Sequence, residues 1–230
     1  QAGRLSMRIL LSIAHFFRAE EGSNHSSTDA HRRDQRAAAI RSVIDAWRGH
    51  YGPVSSINVW QKKFEPIAGM ADQLDIIVLV NGDNHLLDAD YCRARGVRLY
   101  DAKLDNPRML GFTAHRLFAD ARNIYDVFAF SEDDLRPTGN DLISRILAFQ
   151  DDFGWRRVIF PNRYEWNPHG PALKSYIDGM LRPGLLAPFE AALPDERFLK
   201  GRQGARLVSF QRATNPHCGF FALTAEQLAH

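Results

Sequence analysis

Long apolar runs are missing from this chain of 230 residues. The two most apolar stretches, within "MRILLSIAHFF" and "LDIIVLVNGDN", span about ten and about seven residues, half or less of the ~20 that a membrane-spanning helix needs. The polar segment after the first, "RAEEGSNHSSTDAHRRD", does not resemble a signal-peptide cleavage site. Cysteine is scarce too. Cys92 and Cys218, neither in a C-x-x-C pair, exclude a disulfide framework and zinc-finger spacing, and a cytoplasmic, reducing location is expected. Charge of one sign is also lacking, since 29 basic residues stand against 27 acidic ones for a formal charge of +2. The basic residues come in short dispersed pairs such as Arg32–Arg33 and Arg156–Arg157, so no nucleic acid polymer is an expected partner. Neither an internal repeat nor a low-complexity tract breaks the chain, and no glycine-rich loop follows the first apolar run.

What is present is the composition of a globular protein, 45% apolar and 24% charged, enough for one large α/β domain or two small ones. Met7 reads as the natural start, because "MRILLSIAHFF" begins there as a strand would, and residues 1–6 are set aside. A single domain over 7–230 is expected, with a ligand-binding half at 7–135 and a second half at 136–230 that contains an irregular region at 161–205.

Periodicity orders the elements. "RILLSIAHFF" is a continuous apolar run and hence a buried strand, followed by a long polar loop at 18–33. Ala37, Ile40, Val43, Ile44 and Trp47 recur at helical spacing up to about His50. "SSINVWQ", "LDIIVLVNGDN", "GVRLYDAK", "DVFAFSEDD" and "RRVIFPNRY" read as further strands. Helices are expected near Leu86–Arg95, over "PRMLGFTAHRLFADARNIY" and over "DLISRILAFQDDFG". Two strand-like runs and the start of a helix close the chain. Such alternation predicts an α/β fold with a mostly parallel sheet of about six or more strands and helices on both faces.

Ligands of such sheets bind beyond the carboxyl ends of the strands. Polar groups cluster at four strand ends: His15, the Asn81-Gly82-Asp83-Asn84 turn, Glu132-Asp133-Asp134, and Asn215-Pro216-His217. The acidic triplet demands a counter-charge, because three adjacent carboxylates at the mouth of a buried strand repel one another. Asp133 or Asp134 could instead cap the following helix, a role for which Asp141 competes. Capping accounts for one carboxylate at most, and hard oxygen ligands in this arrangement suit Mg²⁺ or Mn²⁺.

An apolar strand ending in a D-x-D-like acidic triplet, Glu132-Asp133-Asp134, preceded by a helix bearing "ADARN", resembles the nucleotide-sugar glycosyltransferases of the GT-A fold. Glu132 stands where Asp is usual, and "NPHCGFFALT" is similar to the acceptor-side strand of such enzymes. The resemblance covers roughly Met7 to Phe160 in element order. It implies a Rossmann-related sheet, a nucleotide-sugar donor, a carbohydrate or other hydroxyl acceptor, and a divalent metal on the diphosphate. It also implies metal ligation by Glu132 and Asp134, with His217 as a late histidine in the shell, and donor contacts by Asp133 and by Asp83 near the base or ribose.

Asn81 and His15 join the donor contacts by position, although an N-G-D-N turn and a strand-end histidine also serve structure alone. Arg18 could meet a diphosphate or simply face solvent. An inverting transfer needs a carboxylate to deprotonate the acceptor. Asp195 and Glu196 in "LPDERF" are the candidates, against a plain role in a helical first turn. Trp155, Tyr164, Trp166 and Tyr176 could stack on sugars. Two other functions remain open: a sugar-phosphate nucleotidyltransferase, which the missing glycine-rich loop disfavours, and a non-catalytic nucleotide- or sugar-binding module.

Overall fold

Seven residues with almost no polar side chains, Arg8–Ala14, form the strand β1, and Ile9, Leu10, Leu11 and Ile13 are all fully or almost fully buried. The structure is a computed structural model that describes residues 7–20, 22, 25–67, 72–179, 181–182, 184–185, 196–203, 205–213, 215 and 219–230. The long loop after β1 leads into helix α1 (Arg33–Tyr51), whose apolar stripe Ile40, Val43, Ile44, Trp47 and Tyr51 is buried. Strands β2 (Ser55–Asn58) and β3 (Lys63–Pro66) come next. They are followed by β4 (Gln73–Val80), helix α2 (Ala89–Arg95) and β5 (Val97–Asp101). After a 3-10 turn over Pro107–Phe112, helix α3 (Thr113–Ala121) leads to β6 (Val127–Glu132) and then to α4 (Leu142–Phe153). Strands β7 (Tyr164–Trp166), β8 (Lys174–Tyr176), β9 (Phe198–Gln203), β10 (Arg206–Gln211) and β11 (Phe220–Thr224) follow, and helix α5 (Ala225–Ala229) comes last.

The chain divides into two compact units, one of residues 1–143 with 222–230 and one of residues 144–221. The first is built on a five-stranded, mostly parallel sheet ordered β11-β6-β1-β4-β5. Both neighbours of β1 run parallel to it, and β5 runs parallel to β4. From β1 the chain steps to β4 and β5 on one side, then returns to β6 on the other. Helices α1 and α2 touch each other and pack on β4 and β5 respectively, and α3 packs on β6. There the Phe118 ring of α3 meets Phe128 of β6 at 5.6 Å. Val127, Phe128 and Ala129 are buried, as expected of a central strand.

Two expectations need correction. "SSINVWQ" does form a strand, but β2 pairs antiparallel with β3 in a separate two-stranded sheet. A partner a few residues away closes at little entropic cost, and local pairing wins over insertion into the main sheet. The second is "RRVIFPNRY", in which residues 156–160 are not in a strand and only Tyr164 begins one. Val158 and Phe160 are both over one-third exposed and their neighbours Arg157 and Ile159 are only half-buried, so no buried face holds the segment in a sheet. The main sheet thus has five strands rather than six or more.

The second unit carries two antiparallel hairpins, β7–β8 and β9–β10. Phe149 and Phe153 of α4 pack against Phe210 of β10 with ring centroids 4.9 and 5.7 Å apart. Among the described residues no helix is long and apolar enough to cross a membrane.

Helix α2 ends at Gly96, which adopts the left-handed conformation (φ 58°) and leaves its carbonyl to the Arg48 guanidinium at 2.8 Å. An added Cβ would meet Arg48 Nη2 at 3.2 Å, a contact the flexible side chain can relieve. Gly96→Ala therefore carries mainly the left-handed penalty and is expected to destabilise by about 1–2 kcal/mol. A urea unfolding curve with unchanged slope and a lowered midpoint checks it.

Candidate functional site

Register builds the site. Ala14, the last residue of β1, pairs with Glu132, the last of β6, so His15 and Asp133 leave the sheet side by side. The His15 Nδ1–H donates to Asp133 Oδ2 at 2.5 Å, with the imidazole fully buried and the carboxylate nearly so. The Leu86 N–H donates to the other ring nitrogen, Nε2, at 3.1 Å. One nitrogen donates and one accepts, which fixes the Nδ1–H tautomer. His15 thus ties together the exits of β1 and β6 and the loop after β4.

The counter-charge that the triplet requires comes from the protein itself. Arg36, in the first turns of α1, donates through Nη2 to Asp133 Oδ1 and through Nη1 to Asp134 Oδ2 at 3.3 Å. Arg36 and Asp133 are largely buried, whereas the Asp134 side chain is 52% exposed. Helix α4 begins only at Leu142, so neither Asp133 nor Asp134 caps it. The three carboxylates therefore have different environments: Asp133 is locked inside, Asp134 faces solvent beside a guanidinium, and Glu132 is half-buried at the strand end.

Residues at the other exits take unequal parts. The Asn81 side chain donates to the Leu104 carbonyl at 3.0 Å and accepts from the Leu104 N–H at 2.7 Å, which commits both ends of the amide to pinning the loop after β5. Asp83 is exposed in the following turn. Asp101, at the end of β5, accepts from the N–H groups of Gly82 and Lys103 (2.8 and 3.2 Å), and these bonds hold its carboxyl below the usual range. Arg18 is paired with Glu20 on the surface.

His85 lies next to Asn84, and its Nδ1 accepts from the Leu87 N–H at 3.3 Å. Burial pushes it below the ordinary imidazole range, with Asp83 opposing. A depressed histidine binds fewer protons in the folded chain than in the unfolded one. Stability is accordingly expected to fall as pH drops below ~6.5. Comparing denaturation midpoints of the parent and His85→Gln at neutral and mildly acid pH checks this, and the variant should lose less on acidification.

Glu196 belongs to the second unit, where Arg157 donates to its carboxylate at 3.0 Å. Asp195 and His217 lie outside the described residues. Among the described residues no group of three His, Cys, Asp or Glu side chains is placed to hold a metal ion. Glu132 and Asp134 remain as two carboxylates at one strand exit. That number suits Mg²⁺ or Mn²⁺ when substrate phosphates and water complete the shell.

Arg36 escaped the sequence reading. It is one of three arginines in "RRDQR", and nothing in their spacing tells which will turn toward a carboxylate nearly a hundred residues later. No protein-family model matches the chain, and no curated protein matches it.

Proposed function

We propose that this protein is a nucleotide-sugar-dependent glycosyltransferase that moves a sugar onto a hydroxyl acceptor, in glycan or polysaccharide synthesis. One observation carries the reading. The acidic triplet emerges at the carboxyl end of β6 beside β1, where the strand order reverses, and open α/β sheets bind nucleotides at that point. Asp134 and Glu132 would hold Mg²⁺ or Mn²⁺ together with substrate oxygens, and the ion would neutralise the departing diphosphate.

The chain's own groups do the rest. Arg36 orients Asp134 and offsets part of the acidic charge near the donor. His15 and Arg36 fix Asp133, which holds the crevice in shape instead of touching the donor. Asp83, exposed at the exit of β4, is assigned to the base or ribose. Asp195 or Glu196 is assigned as the base that takes the acceptor proton as the acceptor oxygen attacks the anomeric carbon.

The internal commitment of Asp133 also favours a second reading, a non-catalytic nucleotide-sugar-binding module whose acids are retained for structure. A thermal-shift screen of nucleotide sugars with and without Mn²⁺ finds the donor, since a ligand at 100 times its Kd stabilises by about 2.7 kcal/mol. Release of nucleoside diphosphate with an acceptor panel then supports the transferase, while tight binding without release supports the module. No shift with any nucleotide sugar in either condition overturns both.

A further inference from the structure

The β2–β3 hairpin exposes more apolar surface than a solvated hairpin has use for. Trp60 at its tip is 94% exposed, and Val59, Phe64 and Ile57 are 80, 73 and 64% exposed. The register separates the faces. Ile57 lies opposite Phe64, and Ser55 opposite Pro66, on one face, while Ser56–Glu65 and Asn58–Lys63 pairs occupy the other. Asn58 Nδ2 bonds Glu65 at 3.2 Å on that polar face, and the Gln61 N–H donates to Asn58 Oδ1 at 3.0 Å, which shapes the tip. The result is an amphipathic hairpin with an indole at its apex.

We infer that this hairpin docks on an anionic phospholipid bilayer surface, with Trp60, Val59, Phe64 and Ile57 in the interfacial region and Lys62 and Lys63 against the headgroups. Charge supports this occupant. Lys62 sits two residues from Trp60 and has no carboxylate partner among the described residues, and Lys63 shares its charge with Glu65 at 3.1 Å. Indole rings favour the bilayer–water interface, and lysines extend from such a depth to phosphate level.

Area argues against a second copy. The four apolar side chains offer roughly 600 Å², below the ~800 Å² per partner of a stable protein interface. A bilayer needs no matching shape and supplies the negative charge. Attachment by so small a patch is reversible, because stable anchoring takes a second signal. The inference is independent of which reaction the protein catalyses.

Co-sedimentation of the whole chain with phosphatidylcholine vesicles, with and without phosphatidylserine, tests it. The expected result is binding that depends on phosphatidylserine and weakens with salt. Trp60→Ser with Phe64→Ser should reduce it at least about tenfold, and Lys62→Glu with Lys63→Glu should remove the phosphatidylserine dependence, each lysine being worth about fivefold. All four positions are exposed, so the variants should keep the parent's unfolding midpoint. Quenching of the parent's tryptophan emission by brominated lipid, lost in Trp60→Phe, gives a readout that needs no disruptive variant. Absence of binding to either vesicle, equal binding by the Trp60/Phe64 variant, or hairpin-dependent self-association without vesicle binding would each overturn the inference, the last assigning the surface to a second copy.

Discussion

Asp133→Ala is expected to lower the stability of the first unit by about 3–5 kcal/mol, the usual cost of removing one member of a buried ion pair. The loss comes less from the missing attraction than from what stays behind. The Arg36 guanidinium is 13% exposed and would keep its charge without its main acceptor, and the fully buried His15 would have an Nδ1–H with nothing to receive it. If this account holds, Arg36→Met should rescue part of the Asp133→Leu defect, because removing both charges spares the desolvation of each. Urea unfolding of the two single variants and the double variant measures the coupling. Additive effects would mean that the two groups do not share one network.

Asp134→Asn should behave in the opposite way, leaving the fold intact and removing function. Its carboxylate is half-exposed and gains one long contact from Arg36, so neutralising it costs little stability and relieves repulsion from Asp133 and Glu132. Loss of an outer-shell partner already costs 10–100-fold in metal affinity, so loss of a direct ligand should weaken nucleoside-diphosphate binding in Mn²⁺ by at least about 100-fold. Isothermal titration of parent and variant, with Mn²⁺ and with EDTA, checks it. Equal affinity of the parent in both buffers would remove the metal from the mechanism while leaving the nucleotide site to be tested separately.

The contrast between these two neighbours marks the limit of what the sequence conveys. Continuous apolar runs identified β1, β4 and β6 because a strand covered on both faces has few polar side chains, and strand exits followed from that. His15, the Asn81–Asn84 turn and the triplet were each legible as polar groups at strand ends, and parallel pairing brings those ends to one sheet edge. Which acid turns inward was not. Asp133 and Asp134 are chemically identical, and their fates depend on Arg36, brought in by α1. The other two arginines of "RRDQR" are spent elsewhere, Arg32 beside Asp29 and Arg33 over the Phe17 ring. The β2 run was legible as a strand but not as part of a local hairpin, because alternation records burial weakly where both faces meet solvent. Its partner β3, "KFEP", carries a proline at its end and two charged residues, and little marks it as a strand.

The pairing of β1 with β6 also has a consequence for synthesis. His15 and Asp133 are 118 residues apart, and β1 meets β4 long before β6 exists. At a ribosomal rate of 5–20 residues per second, this interval lasts about 6–24 s. Throughout it, β1, one of the most apolar segments of the chain, presents an open backbone edge. The nascent chain therefore passes through a stage in which an unpaired hydrophobic strand can recruit the wrong neighbour. Slowing translation between α3 and β6 would lengthen that exposure, and a chaperone that shields β1 would have its greatest effect there.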